Sequence, residues 1–211
     1  MNTITSSADD LKTIRKIMEG STRFLSLSGL SGLFLGIIAI AGAWIAWMLI
    51  PDTATISLDE YVSSLSDKES TLIRWQLALL ALAVFILSLA AALGLSYRKA
   101  RKSGESIWTP VSRRLFASLL IPLATGGSFA LILLTQNQLQ LLIPVFLIFY
   151  GLALINAGKF TYGEIFWLGI LEIITGLAAA VFPDHGLLFW TGGFGILHIV
   201  YGLFMYKKYE A

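Results

Sequence analysis

Residues 72–96 read LIRWQLALLALAVFILSLAAALGLS, an unbroken apolar run whose only charge is Arg74, near its start. A helix that crosses the roughly 30 Å hydrocarbon core of a bilayer needs about 20 mostly apolar residues. The run does not alternate between apolar and polar residues, as a lipid-facing β-strand does. It therefore predicts a transmembrane α-helix.

Apolar stretches of the same kind lie on both sides of this run. Residues 24–50 form one, and residues 115–206 form another that is too long for two helices. Amide, charged, Pro and Gly residues, which mark turns, interrupt the long stretch at 136–138, 158–159 and 183–186. The pattern predicts an all-α polytopic membrane bundle of six transmembrane helices, with short connections between antiparallel neighbours. The spans are expected near 24–50, 72–96, 115–135, 139–157, 163–182 and 187–206.

The composition also indicates a protein that lies in lipid. Hydrophobic residues make up 56% of the 211 residues and charged residues only 13%, against about 25% in ordinary soluble domains. The absence of cysteine excludes disulfides, thiol catalysis and cysteine-ligated metals. Neither His-Glu-x-x-His nor Gly-x-Ser-x-Gly occurs. We therefore expect no enzymatic activity, no metal and no cofactor.

The basic residues predict the orientation of the bundle. With six spans, all of the 15 lysines and arginines except Lys68 and Arg74 lie on the side that holds both chain ends. The opposite side has an acidic first loop. Because cytoplasmic loops retain Lys and Arg, both ends are predicted to be cytoplasmic.

Two cytoplasmic segments flank the first span and the last. Residues 1–23 contain an amphipathic pattern over 8–20, which predicts a short helix lying on the lipid surface. Docking of this helix to a cytoplasmic partner is the alternative. Residues 207–211 are predicted to form a short cytoplasmic tail.

The loop between the second and third spans carries six basic residues against one acid, Glu105. Clusters of this kind next to a membrane bind anionic lipid headgroups, although the same charges also set the topology. No nucleic-acid-binding fold accompanies them, so nucleic acid is not an expected partner. The basic residues are Arg98, Lys99, Arg101, Lys102, Arg113 and Arg114.

A near-repeat in the last two spans contains the most informative residues. Residues 169–177 read GILEIITGL and residues 195–203 read GILHIVYGL. Glycines seven residues apart share a helix face and let two backbones approach closely. Packing within the chain is one interpretation, and a homo-oligomer contact through the first span is the alternative. The glycines assigned to helix packing are Gly29, Gly32, Gly36, Gly151, Gly158, Gly169, Gly176, Gly195 and Gly202.

The ionisable residues of the repeat, Glu172 and His198, are candidates for an intramembrane site. Each is about ten residues from the outer end of its span, hence roughly 15 Å deep and near the bilayer midplane. A charge facing lipid there costs about 2.5–3.5 kcal/mol, so both should face the bundle interior. A hydrogen bond between them predicts a coupled unit that holds or passes one proton; a structural clamp is the alternative. Thr175, Thr191 and Tyr201 complete the candidate site.

A second candidate site lies at the cytoplasmic end of the fourth and fifth spans. Asn156, Lys159 and Glu164 flank a short turn there, across which Asn156 and Glu164 are expected to face each other. The pattern is typical of a capping network. An inner gate or ligand site is the alternative.

The block from Asn156 to Gly202 resembles uncharacterised six-span bacterial membrane proteins of the type found in Bacteroidetes. Its glycine-spaced hairpin, with Phe182-Pro183 at the turn, also resembles HdeD-type acid-resistance membrane proteins. The resemblance implies a stress-related role in the inner membrane. The prediction is a non-enzymatic membrane protein that binds or passes a proton or small solute at Glu172 and His198. A membrane scaffold or regulator that acts through its cytoplasmic basic loop and N-terminal helix is the alternative.

Overall fold

A computed structural model describes residues 28–50, 58–104, 106 and 108–210 of the chain. Within these ranges the structure is all-α and contains six helices long and apolar enough to cross a membrane, which confirms the predicted fold class. The predicted amphipathic segment lies outside the described residues. The α-helices are α1 (Gly29–Leu49), α2 (Leu58–Ser64), α3 (Asp67–Lys102), α4 (Pro110–Thr135), α5 (Leu142–Gly158), α6 (Gly163–Val181), α7 (Gly186–Trp190) and α8 (His198–Tyr209).

The last membrane-spanning helix is composite. A 3₁₀ turn, Pro183–His185, leads into α7, and a π-helical segment, Thr191–Leu197, joins α7 to α8. We call this stretch the π segment. The helix continues to Tyr209, three residues beyond the end of the predicted span.

Helix α3 is longer than its predicted span. It begins at Asp67, where Ser66 and Glu69 form a capping box, and it has 36 residues. At 1.5 Å per residue its length is roughly 54 Å, well beyond the roughly 30 Å hydrocarbon core. The helix is therefore too long to lie wholly within the hydrocarbon core.

The turn between α4 and α5 forms at the predicted amide cluster. Asn137 adopts a left-handed φ of 60°, which Asn tolerates better than most residues. On α2, the Asp59 carboxylate accepts hydrogen bonds from the backbone N–H groups of Leu139, at 3.0 Å, and Gln140, at 3.3 Å. Burial raises the pKa of the Asp59 carboxyl, against the lowering effect of these two amides. These hydrogen bonds hold the short helix α2, which lies in the first loop, against the beginning of the fourth span.

The helices pack in an order that differs from their order in the chain. Helices α5 and α6 form the most extensive pair, and α4 packs on α5. Helix α8 and the π segment pack on α1, and α1 also packs on α3. The centre of the bundle therefore consists of α1, α5, α6 and the last helix, while α3 and α4 lie at its edges.

Glycines allow the central helices to approach closely. A Cβ added to Gly151 of α5 would lie 2.6 Å from the carbonyl oxygen of Gly169 in α6, and the reverse substitution meets the same distance. A Cβ on Gly202 of α8 would collide with the backbone of α1 at Leu33. The glycine face of α1 is thus occupied within the chain, as the packing interpretation predicts. The other packing glycines that lie against neighbouring helices are Gly29, Gly32, Gly36, Gly158, Gly176 and Gly195.

Ion pairs close one end of the bundle, which we call the basic end because Lys99 and Lys208 lie there. The Glu210 carboxylate accepts hydrogen bonds from the Gly29 backbone N–H at 2.7 Å, the Ser28 hydroxyl at 3.2 Å and the Lys99 ammonium at 3.0 Å. A negative charge at the N-terminus of α1 also complements the helix dipole. We call the opposite end, where α2 lies, the acidic end.

Candidate functional site

Glu172 and His198 meet inside the bundle. Glu172, in the middle of α6, is fully buried, and His198, at the start of α8, is 3% exposed. The Nδ1 atom of the imidazole lies 3.2 Å from Oε1 of the carboxyl group. The predicted proximity of the two side chains is therefore confirmed.

The predicted hydrogen bond between the two side chains is not formed, because both imidazole nitrogens are directed at other groups. Nδ1 lies 3.1 Å from the carbonyl oxygen of Gly193, and Nε2 lies 2.8 Å from the hydroxyl of Tyr150. A carbonyl oxygen only accepts, so Nδ1 donates to Gly193, and Nε2 of a neutral imidazole accepts from Tyr150. Among the described residues, neither oxygen of Glu172 has a hydrogen-bond partner.

The absence of a side chain at Gly193 makes room for the carboxyl group. A Cβ at this position would lie 2.7 Å from Oε2 of Glu172 and 2.5 Å from Cδ2 of Leu147, which is itself fully buried. Gly193 belongs to the π segment. π-Helical turns are rare and are frequently found at functional sites.

Aromatic rings enclose the imidazole. The ring of Tyr150 lies 5.4 Å from that of His198 and 5.3 Å from that of Phe194. Trp190 packs on Phe194 at 4.7 Å, and its indole N–H donates to the carbonyl oxygen of Ala39 in α1 at 3.0 Å. Such surroundings exclude water, which strengthens electrostatic interactions within the site.

The two predicted threonines do not bond to the pair. The hydroxyl of Thr175 donates to the carbonyl of Leu171, and that of Thr191 donates to the carbonyl of Leu187, each at 2.8 Å. Threonine in a helix commonly satisfies its hydroxyl in this way, on the preceding turn. The methyl group of Thr175 nevertheless borders the space beside Gly193.

Tyr201 lies one turn after His198 on α8 and is partly buried. It packs against the same apolar cluster as Tyr150. No bond joins it to Glu172 or His198 in the described structure. The buried members of the cluster are Leu115, Leu154, Ala157, Ile165 and Leu168.

The second predicted site is divided into two parts. Lys159 donates to the side-chain oxygen of Asn156 at 3.4 Å. Glu164 instead accepts from the ammonium of Lys208 and from the hydroxyl of Tyr209, the latter at 2.9 Å. Glu164 therefore binds the end of α8, and the expected pairing of Asn156 with Glu164 is not present.

Two members of the intramembrane site, Tyr150 and Gly193, are absent from the sequence prediction. Tyr150 precedes the packing glycine Gly151, but successive residues of a helix point about 100° apart, so the glycine does not show which way Tyr150 faces. Gly193 follows Gly192, and paired glycines in a span indicate close approach by another group. Neither signal specifies Glu172 or His198 as the neighbour.

Comparisons of the chain with protein-family models, with curated proteins and with solved structures find no match. Among the described residues, no group of three or more His, Asp or Glu side chains is arranged to hold a metal ion. The resemblance to HdeD-type proteins therefore remains a prediction, and the site itself must indicate the function.

Proposed function

We propose that this chain is a multi-pass membrane protein that binds a proton at Glu172, His198 and Tyr150 and passes it across the bilayer. Six long apolar helices support its location in a membrane. The observation that carries the proposal is the Glu172 carboxyl group, which is fully buried with neither oxygen hydrogen-bonded among the described residues. Ionisable residues inside transmembrane bundles typically mark proton or ion pathways.

The chemistry of the pair favours proton binding. An ionised carboxylate without hydrogen-bond donors is costly to bury. The pair avoids that cost as a neutral carboxyl beside a neutral imidazole, or as a carboxylate beside an imidazolium. Both arrangements hold one proton more than a carboxylate beside a neutral imidazole, so the two side chains together bind one proton. Tyr150 suits both, since its hydroxyl donates to a neutral imidazole and accepts from an imidazolium.

The bound proton is occluded in this conformation. Because Glu172 and His198 are buried, passage across the membrane requires a movement that opens the site to each side in turn. The π segment is the element best suited to move, because it contains Gly192, Gly193 and Gly195 in a rare form of helix. Its movement also shifts the Gly193 carbonyl that holds His198.

A scaffold or regulatory function is the second candidate, and the same burial favours it, since a closed core suits a clamp between α6 and α8.

We propose anionic lipid headgroups as partners at the basic end, which we place on the cytoplasmic side of a bacterial inner membrane. Lys99 is bound to Glu210 there. The exposed basic residues that we propose to bind these headgroups are Arg98, Arg101, Lys102, Arg113 and Arg114. Stress tolerance is the role that the HdeD-type resemblance suggests for either candidate.

Infrared difference spectroscopy of the protein in lipid tests proton binding. We expect the wild type to show a protonated-carboxyl band that changes with pH and is absent from Glu172→Gln. Glu69→Gln removes a carboxylate that is exposed at the start of α3 and should keep the band. A Glu172 signal that stays constant over the pH range in which the protein is folded would favour the clamp.

A further inference from the structure

We infer that the proton site lies between two units of three helices each, and that it opens to the basic end when Glu164 releases the end of α8. The inference rests on the proposed proton site and names the side from which that site is reached. Each unit is closely packed within itself, whereas the two units are joined differently at the two ends of the bundle.

The first unit consists of α1, α3 and the last helix. A Cβ added to Gly32 of α1 would lie 3.0 Å from Cα of Gly202 in α8, and α1 also packs along α3. The Glu210 carboxylate, at the end of α8, binds both the N-terminus of α1 and the Lys99 ammonium of α3. The three helices are therefore tied together, and we call them the α1 unit.

The second unit consists of α4, α5 and α6, which follow one another in the chain. Helix α5 packs closely on α6 through Gly151 and Gly169. Helix α4 packs on α5, where a Cβ added to Gly126 would lie 2.5 Å from Cβ of Phe149. We call these helices the α5 unit.

The proton site lies at the interface between the two units. Glu172 and Tyr150 belong to the α5 unit, whereas His198 and Gly193 belong to the α1 unit. A movement of one unit relative to the other therefore uncovers the carboxyl group and the imidazole together. Rocking of two packed halves about a central site is a common way to give a buried site access to one side of a membrane.

The interface is closely packed toward the acidic end. A Cβ added to Gly186 of α7 would lie 3.0 Å from Cδ1 of Ile143 in α5. The short helix α2, which precedes α3, is hydrogen-bonded through Asp59 to the turn before α5. The chain itself joins the two units there through the short connection at 182–185. These contacts make the acidic end the hinge of the movement.

Toward the basic end the units meet through side chains. Among the described residues, the backbone of α8 packs extensively on α1 but not on α5 or α6. Leu197 and Tyr201 of the last helix lie against the apolar cluster that the α5 unit forms there. The chain connects the units at this end through residues 103–109, a longer connection than 182–185. Opening at the basic end therefore leaves the glycine contacts within each unit intact.

Glu164 is the carboxylate that holds the units together at the basic end. It belongs to the first turn of α6 and accepts hydrogen bonds from Lys208 and Tyr209 in the last turn of α8. The ring of Tyr162, just before α6, lies 4.5 Å from that of Tyr209 and also beneath the Lys99 ammonium. Because the side chains of Glu164 and Lys208 are 21% and 47% exposed, water can replace these contacts when the units separate.

A single introduced cysteine reports whether the interface opens, because the chain has none of its own. Leu168 lies four residues from both Glu164 and Glu172, hence on the same face of α6, and it is 5% exposed. In nanodiscs we expect Leu168→Cys to react with a water-soluble thiol reagent on the order of 10-fold faster once Glu164→Gln weakens the hydrogen bonds to α8. Lys208→Gln should accelerate the reaction as well. The two changes alter the local charge in opposite directions, so an acceleration shared by both is not an effect on thiol reactivity.

Two controls separate this opening from general loosening. Lys207→Gln makes the same charge change as Lys208→Gln at an exposed neighbour that has no ion pair among the described residues, and it should leave the rate unchanged. Ala130→Cys places the thiol in an apolar cluster toward the acidic end. It should react equally slowly with and without Glu164→Gln, whereas general unfolding would expose both cysteine positions.

Time-resolved infrared spectroscopy tests whether the same opening loads the proton site, and it needs no cysteine. After a pH jump, we expect the Glu172 band of Glu164→Gln to respond on the order of 10-fold faster than that of the wild type, because exchange at a buried group follows local opening. An unchanged rate in either the thiol reaction or the infrared response would overturn this inference and leave the proton site standing. A wild-type band that does not respond to pH would overturn the site and its route together.

Discussion

Gly193→Ala is expected to abolish the pH-dependent Glu172 signal and to lower the melting temperature, although it adds a single methyl group. The new Cβ would lie 2.7 Å from Oε2 of Glu172 and 2.5 Å from Cδ2 of Leu147, and both of these side chains are fully buried. Overpacking of this kind typically costs about 1–3 kcal/mol. Because both side chains are buried, the carboxyl group must shift from its place beside Gly193, which also changes its distance from Nδ1 of His198.

Gly192→Ala is the matched control for this substitution. A Cβ at Gly192 has nothing within 4 Å, and the residue lies in the same π segment. It should keep both the infrared signal and the melting temperature of the wild type. Thermal unfolding in detergent, combined with the infrared titration, compares the two variants. Identical behaviour of the two variants would show that Gly193 does not make room for Glu172.

Gly151→Val is expected to destabilise the protein most strongly. A Cβ at Gly151 would lie 2.6 Å from the backbone oxygen of Gly169 and 2.7 Å from the side chain of Ile173. A backbone carbonyl cannot rotate away, so α5 and α6 must separate. Overpacking usually costs about 1–3 kcal/mol, and we expect this substitution to cost at least as much. The separation also displaces Tyr150, the neighbour of Gly151, from His198. Both the stability and the proton signal should therefore fall.

Gly127→Val provides the comparison for this second substitution. Gly127 lies in the long apolar helix α4, and a Cβ there has nothing within 4 Å. We expect it to express and melt like the wild type, because the new side chain faces open space. If Gly151→Val also melts like the wild type, α5 and α6 do not approach as closely as the structure shows.

The membrane-spanning fold follows from features that are local in the sequence. A continuous apolar run such as 72–96 has few alternatives to a transmembrane helix, since lipid offers no partner for unpaired backbone groups. The turn at Asn137 is equally local, because it depends on a residue type that tolerates a positive φ. Helix ends are less predictable. Residues 97–102 continue α3 beyond its apolar run, because a helix does not have to end at the membrane surface.

The proximity of Glu172 and His198 is predictable, whereas the hydrogen bonds around them are not. Equal depth on adjacent spans, together with the cost of a charge in lipid, places both side chains inside the bundle. Their exact partners depend on the π segment, which changes the rotation of the helix just before His198. No residue pattern in the sequence specifies that segment. The positions of Tyr150 and Gly193 beside the imidazole therefore depend on how the helices pack, which the sequence pattern does not specify.

The basic end shows how a contact is missed when a helix continues beyond the predicted membrane span. A last span that ends at residue 206 assigns Lys208 and Tyr209 to a tail, where neither has a defined position. In the structure α8 continues to Tyr209, and both side chains bind Glu164. Asn156 is closer to Glu164 along the chain than Lys208 and Tyr209 are. In the structure, however, Glu164 binds the end of α8.

Proton flux into liposomes tests the proposed function most directly. The purified protein is reconstituted, a pH gradient is imposed, and the wild type is compared with Glu172→Gln and with the surface control Glu69→Gln. We expect the wild type and Glu69→Gln to dissipate the gradient and Glu172→Gln to retain it. If the wild type and Glu172→Gln both retain the gradient, while Glu172→Gln melts at a lower temperature, the pair is a structural clamp and proton passage is contradicted.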